Sequence, residues 1–289
     1  METALLSLAA PYLSERRLRQ IARLDPSVQT LLAEHRAAPH PVVLGTAHLA
    51  YWEAQSWLGL LVQPEPLPEF CIIFRPLDNA ALNRFMQETR ERYGMRMLSK
   101  REGFVQTLKV LRRRGFVGLL FDQHARDTGA LMTLFGRLCS TTELAGLLVE
   151  KQGAELHSFY PRRRAFWRVE FRSEKLAHDG TAASATIALN RWLERTLTAD
   201  DNLCASWLWT HNRWKYQTNP DTRFRLESKR DLVAADCAAR GWAELPRSTR
   251  VWVRLPDDAT VADQVPPLLR ALRAGRPDAE LTLVGPPEL

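Results

Sequence analysis

A histidine followed five positions later by a glutamate, in His48-Leu-Ala-Tyr-Trp-Glu53, is the pair in this sequence best suited to proton chemistry. It comes directly after residues 42–45, a short apolar run of strand character. The carboxyl end of a strand that opens into a helix is where α/β proteins place reactive groups. Five helical residues turn the chain through about 140° net, so the two side chains cannot share one helical face. They meet if His48 lies in the loop and Glu53 in the first turn of the following helix. A carboxylate on one imidazole nitrogen then sets the tautomer and leaves the other nitrogen as a base toward a hydroxyl. The same spacing is common by chance, and a structural histidine at a strand end is the plainer alternative.

The elements that must position this pair follow from periodicity and punctuation. Residues 1–37 read as helical, with Pro11 as an early interruption. Pro64, Pro66 and Pro68 stiffen the approach to a second strand at 70–74, rich in Ile and Phe. Apolar residues at 82, 85, 86 and 93 mark a helix, with Asp78 or Asn79 as its cap and Gly94 as its stop. A further helix at 103–114 closes with three arginines and Gly115, which suit the dipole and a C-terminal glycine cap. The continuous apolar run 116–121 is expected to be a strand covered on both faces. A helix at 141–151, strands at 155–160 and 166–171, and a helix at 182–197 follow. Strands alternating with helices define an α/β protein with a mostly parallel central sheet flanked by helices.

Composition narrows the setting. The 289 residues are 45% hydrophobic and 25% charged, which excludes a disordered or collagen-like chain. The formal charge is +7, and residues 1–228 carry all of it, with 31 basic against 24 acidic side chains. Such a surface favours anionic partners: an acidic protein, a phosphorylated substrate or an anionic bilayer. Nucleic acid fits the charge alone, since no recognised binding motif accompanies it, and none is expected. The four cysteines form no C-x-x-C pair, and Cys71 and Cys139 read as buried thiols of a reducing compartment. No apolar run reaches the ~18–20 residues that span a bilayer. The first twenty residues lack a basic segment ahead of their apolar stretch, so no secretory signal is expected.

The histidine box resembles the H-x-G-N-W-E box of the bacterial lipid A lauroyl and myristoyl acyltransferases, within the wider H-x4-D/E glycerolipid acyltransferases. Four more segments resemble that family in the same order. Arg75-Pro76 with Asn79 is similar to R-P-x-x-N, and Arg90 to Gly94 to R-x-x-x-G. Phe121-Asp122-Gln123, Leu134-Phe135-Gly136 and Thr141-Thr142 resemble its D-Q…F-F-G…T region. Trp207-Leu-Trp-Thr-His-Asn-Arg-Trp-Lys215 is similar to its W-x-W-x-H-x-R-W-K ending. The resemblance spans about residues 40–216. Ala50 and Tyr51 replace the family's Gly-Asn, with Tyr51 expected to add bulk beside the base, and Leu134 replaces the first Phe. The family's N-terminal anchoring helix has no counterpart in these residues.

The resemblance implies transfer of a fatty acyl chain from acyl-carrier protein, or from acyl-CoA, to a hydroxyl of a phosphorylated glycolipid such as a lipid A precursor. It implies no cofactor or metal. His48 would be the general base and Glu53 its orienting partner. Arg75 could clamp a phosphate, or equally pair with Asp78 or Asp122. Gln123 could bond a sugar hydroxyl or a carbonyl, and Asp122 could bind substrate or hold loops together. Arg162, Arg163 and Arg164, with Trp167 and Arg168, form a basic and aromatic stretch between two strands that could meet anionic headgroups, or be a solvated hairpin. The three tryptophans of the last box read as core or interfacial anchors, and His211 as structural. The implied location is the cytoplasmic side of the cell inner membrane, held peripherally. Two alternatives stay open: a non-catalytic relative that binds lipid or carrier, and an acyltransferase for another glycolipid such as a phosphatidylinositol mannoside.

The last sixty residues read differently. A strand at 250–256, a helix at 265–274 and a strand at 279–284 form a β-α-β unit that resembles the opening of the lipopolysaccharide heptosyltransferases. An acyltransferase-like domain over 1–228 and a dispensable extension over 229–289 are therefore expected.

Overall fold

The computed structural model of the chain describes residues 2–99, 103–215, 226, 228–255 and 263–285. Its strands, in order, are β1 (Ala22–Leu24), β2 (Val42–Thr46), β3 (Phe70–Phe74), β4 (Met95–Ser99), β5 (Phe116–Leu120) and β6 (Ala130–Leu134). After these come β7 (Arg137–Thr141), β8 (Glu155–Ala165), β9 (Arg168–Lys175), β10 (Arg230–Asp231), β11 (Thr249–Arg254) and β12 (Ala279–Val284). The chain divides into two compact units. One holds residues 1–122 and 143–210, the other residues 123–142 and 211–289.

The first unit is built on a seven-stranded sheet in the order β1-β9-β8-β2-β5-β3-β4. The strands β8, β2, β5, β3 and β4 are parallel; β9 runs against β8, and β1 runs with β9. All five residues of β2 are buried, as its mostly apolar sequence, Val-Val-Leu-Gly-Thr, suits a strand covered on both faces. Val42 and Leu44 face a core that includes Leu18, Leu31, Trp57 and Phe171. On the other face, a Cβ on Gly45 would stand 2.1 Å from a methyl of Leu189, so only glycine lets the helix Ala182–Ala199 lie this close.

Local sequence explains most element ends and corrects some expectations. Residues 1–37 are not one helical stretch: Ser14 and Asp25 cap the helices Glu15–Ile21 and Pro26–Ala37, and β1 lies between them. Asn79 caps Ala80–Glu91 by accepting from the Leu82 amide at 2.9 Å. The left-handed residue after the helix Gly103–Arg112 is Arg114 (φ 63°) rather than Gly115. Gly115 is needed for space, since a Cβ there would meet the Glu69 carbonyl oxygen at 2.7 Å. The arginines 162–164 are strand residues rather than a link between strands. β8 continues through them to a turn at Phe166-Trp167, and a register shift between Arg163 and Ala165 bends the hairpin.

In the second unit β6 and β7 form a hairpin through Phe135-Gly136, both at positive φ (53° and 73°), as a two-residue type I′ turn requires. β10 adds to β6 in parallel. Asp236, on the helix Val233–Arg240, accepts from the Thr133 amide (3.0 Å) and hydroxyl (2.6 Å), all buried. Asp278 accepts from the Leu138 amide at 3.3 Å. The structure therefore divides the chain elsewhere than at residue 228. A lone two-stranded hairpin is marginal in water, and residues beyond 228 supply its third strand and helix. The expected β-α-β unit is present: β11 and β12 pair in parallel around the helix Val265–Gly275.

Candidate active site

Sheet register brings the central pair together. β2 and β5 are parallel neighbours with Thr46 opposite Leu120. The Phe121 amide carries the ladder on to the Thr46 carbonyl at 3.1 Å. Two residues past each strand come His48 and Asp122, side by side at the carboxyl edge of the sheet. Asp122 Oδ1 lies 2.7 Å from His48 Nδ1, and Asp122 Oδ2 accepts from the His48 amide at 2.8 Å. The Trp207 indole N–H donates to the same Oδ2 at 2.8 Å.

Asp122 is wholly buried and His48 is 6% exposed. Burial by itself pushes the Asp122 carboxyl up. The His48 ring and amide and the Trp207 indole outweigh it and hold the group below its ordinary range. A carboxylate held ionised on Nδ1 fixes the ring tautomer, with the proton on Nδ1 and the lone pair on Nε2. The box is clamped from behind: Leu49 bridges Trp207, the Ala50 amide donates to the Ser206 carbonyl (3.0 Å), and the Leu208 amide to the His48 carbonyl (2.9 Å). Trp52 packs its ring edge-on to the imidazole at 4.9 Å.

Glu53 does not occupy the expected place. The carboxylate on the imidazole is Asp122, because the chain enters a 3-10 helix, Trp52–Trp57, that carries Glu53 toward the helix Ala80–Glu91. There Glu53 takes a bidentate pair from Arg90, at 2.9 Å from Nε and 2.7 Å from Nη2. Tyr51 does not crowd the base either. Its ring is buried in the core, edge-on to Trp57 at 5.4 Å, and burial pushes its hydroxyl pKa up. Ala50 adopts φ 41°, a left-handed conformation that suits the glycine of the resembled box.

The other named residues separate. Arg75 is exposed just beyond β3, on the same carboxyl edge, one strand outward from Asp122. Asp122 is committed to His48 and Trp207 instead. Arg162 pairs with Asp200 at 2.8 Å, Arg164 reaches Glu170 at 3.9 Å, and Arg163 is exposed near the hairpin turn. Gln123 belongs to the second unit, where its side-chain nitrogen lies 3.1 Å from His211 Nε2 and its carbonyl accepts from Arg213. Arg213 is 1% exposed and also donates to Thr141 at 2.6 Å. Beside it, burial first and then Arg213, Lys215 and Arg126 lower the His124 pKa to about 4.

Trp207 and Arg90 are the site residues that spacing did not reveal. Both stood inside recognisable boxes, but nothing in a linear sequence says which distant carboxylate an indole or a guanidinium will find.

Fold and site together define an α/β enzyme with a buried histidine–carboxylate pair at the carboxyl edge of a parallel sheet. Residues 14–216, well over half of the chain, match the family described as bacterial lipid A biosynthesis acyltransferase, and the chain belongs to that family. No curated protein matches it. Acyl transfer requires an acyl donor and, in this family, a lipid acceptor.

Proposed function

We propose that this chain moves a fatty acyl group from an acyl-carrier protein or acyl-CoA thioester to a hydroxyl of a phosphorylated glycolipid on the lipid A pathway. His48 Nε2 takes the hydroxyl proton as the oxygen attacks the thioester carbonyl, and the imidazolium returns that proton to the departing thiolate. The products are an ester and a free thiol. Asp122 holds the tautomer and stabilises the imidazolium, while Trp207 and the His48 amide hold Asp122. The Glu53–Arg90 pair positions the box on its neighbouring helix. Arg75, exposed on the same edge, takes a phosphate of the acceptor or of the donor's pantetheine arm.

The observation that carries this reading is the 2.7 Å contact between His48 Nδ1 and the buried Asp122 carboxylate at adjacent strand ends. The surplus charge of +7 supports an acidic donor protein and an anionic acceptor. No helix among the described residues is long and apolar enough to cross a membrane. The charge favours contact with an anionic bilayer on the cytoplasmic side of the inner membrane.

The test is a thioester-consumption assay on donor with lipid extract, with mass spectrometry of the lipid. Wild type should yield lipid heavier by one acyl chain. His48→Ala should lose ~10²–10⁴ in rate while keeping a cooperative melt at a lower temperature, because it takes the ring contact from the buried Asp122 carboxylate. Equal turnover by the two proteins would rule the mechanism out.

A further inference from the structure

The topology of the first unit gathers a second group of side chains at the edge that bears His48. β8 leaves its pairing with β2 at Ser158, opposite Gly45, and runs on to Ala165. At about 3.3 Å per residue the hairpin overhangs the end of β2 by roughly 20 Å. Its turn carries Phe166, 66% exposed and stacked on Trp167 with centroids 5.2 Å apart and planes 13° from parallel. Arg163, Arg164 and Arg168 around the turn are exposed, and Arg168 donates to the Trp167 carbonyl at 3.0 Å.

β1 runs with β9, and Ala22 sits opposite Val169, so the helix entering β1, Glu15–Ile21, arrives level with this turn. That helix buries Leu18 and Ile21 and turns Arg16, Arg17 and Arg19 to solvent, just after Tyr12, which is 81% exposed. The acidic groups nearby include Glu15, exposed; Glu170, buried with Arg23 on it at 2.8 Å and Arg164 at 3.9 Å; and Asp25, which lies in the field of Arg172 and Arg164.

We propose that the hairpin turn 163–168 and the helix Glu15–Ile21 form one docking face for an anionic bilayer, with Phe166 inserted among the headgroups and the arginines on their phosphates. This rests on the proposed lipid acceptor, which must reach His48 from a membrane. The chemistry favours a bilayer over an acidic carrier protein. A carrier would satisfy the arginines, but a two-thirds exposed ring at the end of an overhanging hairpin matches the depth profile of an interface, apolar at its tip and cationic around it.

The test is flotation of the full chain with phosphatidylcholine vesicles, with and without phosphatidylglycerol. Wild type should float with the anionic vesicles and much less with neutral ones, and added salt should release it. Arg16→Glu/Arg17→Glu should weaken partitioning by at least ~10-fold, and Phe166→Ser by roughly 10-fold. Both variants should keep the wild-type melting curve and the wild-type consumption of a soluble acyl thioester. Variants that float like wild type, or wild type that floats equally with neutral vesicles, would overturn the proposal. So would variants that keep vesicle binding but lose affinity for an acidic carrier protein. An active chain that never floats defeats this proposal alone, whereas an inactive chain that floats defeats the assigned chemistry alone.

Discussion

Asp122 carries three hydrogen bonds on a side chain with no solvent contact, so loss of its charge strikes the site directly. Asp122→Asn keeps the shape but removes the group that fixes the tautomer of His48. Acyl transfer should fall by roughly 10²–10⁴. Glu53→Gln breaks a partly exposed pair with Arg90 instead and should cost less rate, acting through the position of the box. A larger loss from Glu53→Gln than from Asp122→Asn in the thioester assay would restore Glu53 as the orienting carboxylate. Ala50 allows a test of strain without chemistry. A left-handed alanine costs about 1–2 kcal/mol and glycine adds about 0.4–1 kcal/mol of unfolded-chain entropy, so Ala50→Gly should raise denaturant stability by up to about 1 kcal/mol. A lower midpoint would show that the backbone relaxes without strain there.

At the scale of elements, the base depends on β2 lying flat between its neighbours and under the helix Ala182–Ala199. Gly45→Ala would drive a methyl into Leu189 and push strand and helix apart. We expect a loss of about 1–3 kcal/mol with a drop in turnover, because His48 follows two residues after the displaced strand. Circular dichroism melts alongside the thioester assay would check both, and an unchanged melt would mean that Leu189 turns aside freely. The hairpin β6–β7 behaves differently, since its stability comes from what is added to it. Removing residues beyond Ser228 takes away β10 and the Asp236 acceptor of Thr133, so amides at 130–141 should lose hydrogen-exchange protection. Full protection in the shortened chain would re-establish residue 228 as a domain boundary.

For the molecule as a whole, acid should be more damaging than base. Burial lowers the pKa of His35 and His157, and burial with three neighbouring cations takes His124 to about 4. A histidine depressed in the folded state takes up its proton more readily when unfolded, so its contribution is full above about pH 6.5 and is lost as pH falls below that value. Glu155 is desolvated, yet Lys175, His157 and His40 hold it at about 2. Its contribution persists to lower pH and disappears as pH falls from about 4.5 toward 2. The melting temperature should therefore decline in two stages on acidification, the first between about pH 6.5 and 4. His157→Gln should flatten that first stage, and a melting temperature constant from neutral pH to 4 would contradict the assignment.

Local chemistry was legible in the sequence wherever neighbouring residues decide the outcome. The strand Phe70–Phe74, the Asn79 cap, the glycine after the helix Ala80–Glu91 and the β-α-β unit near the C-terminus could all be read from periodicity and punctuation. The α/β class and the family boxes followed from the same residues. Short strands hid, among them Met95–Ser99, where one arginine and five residues give too little pattern to separate strand from loop. What only the tertiary structure decided was pairing across the chain. Asp122 lies 74 residues from His48, and Trp207 lies 85 residues from Asp122. Their meeting depends on β2 and β5 being parallel neighbours in one register. A sequence states which side chains can ionise or donate, but the sheet determines which strand ends stand side by side, and through that which carboxylate reaches the imidazole.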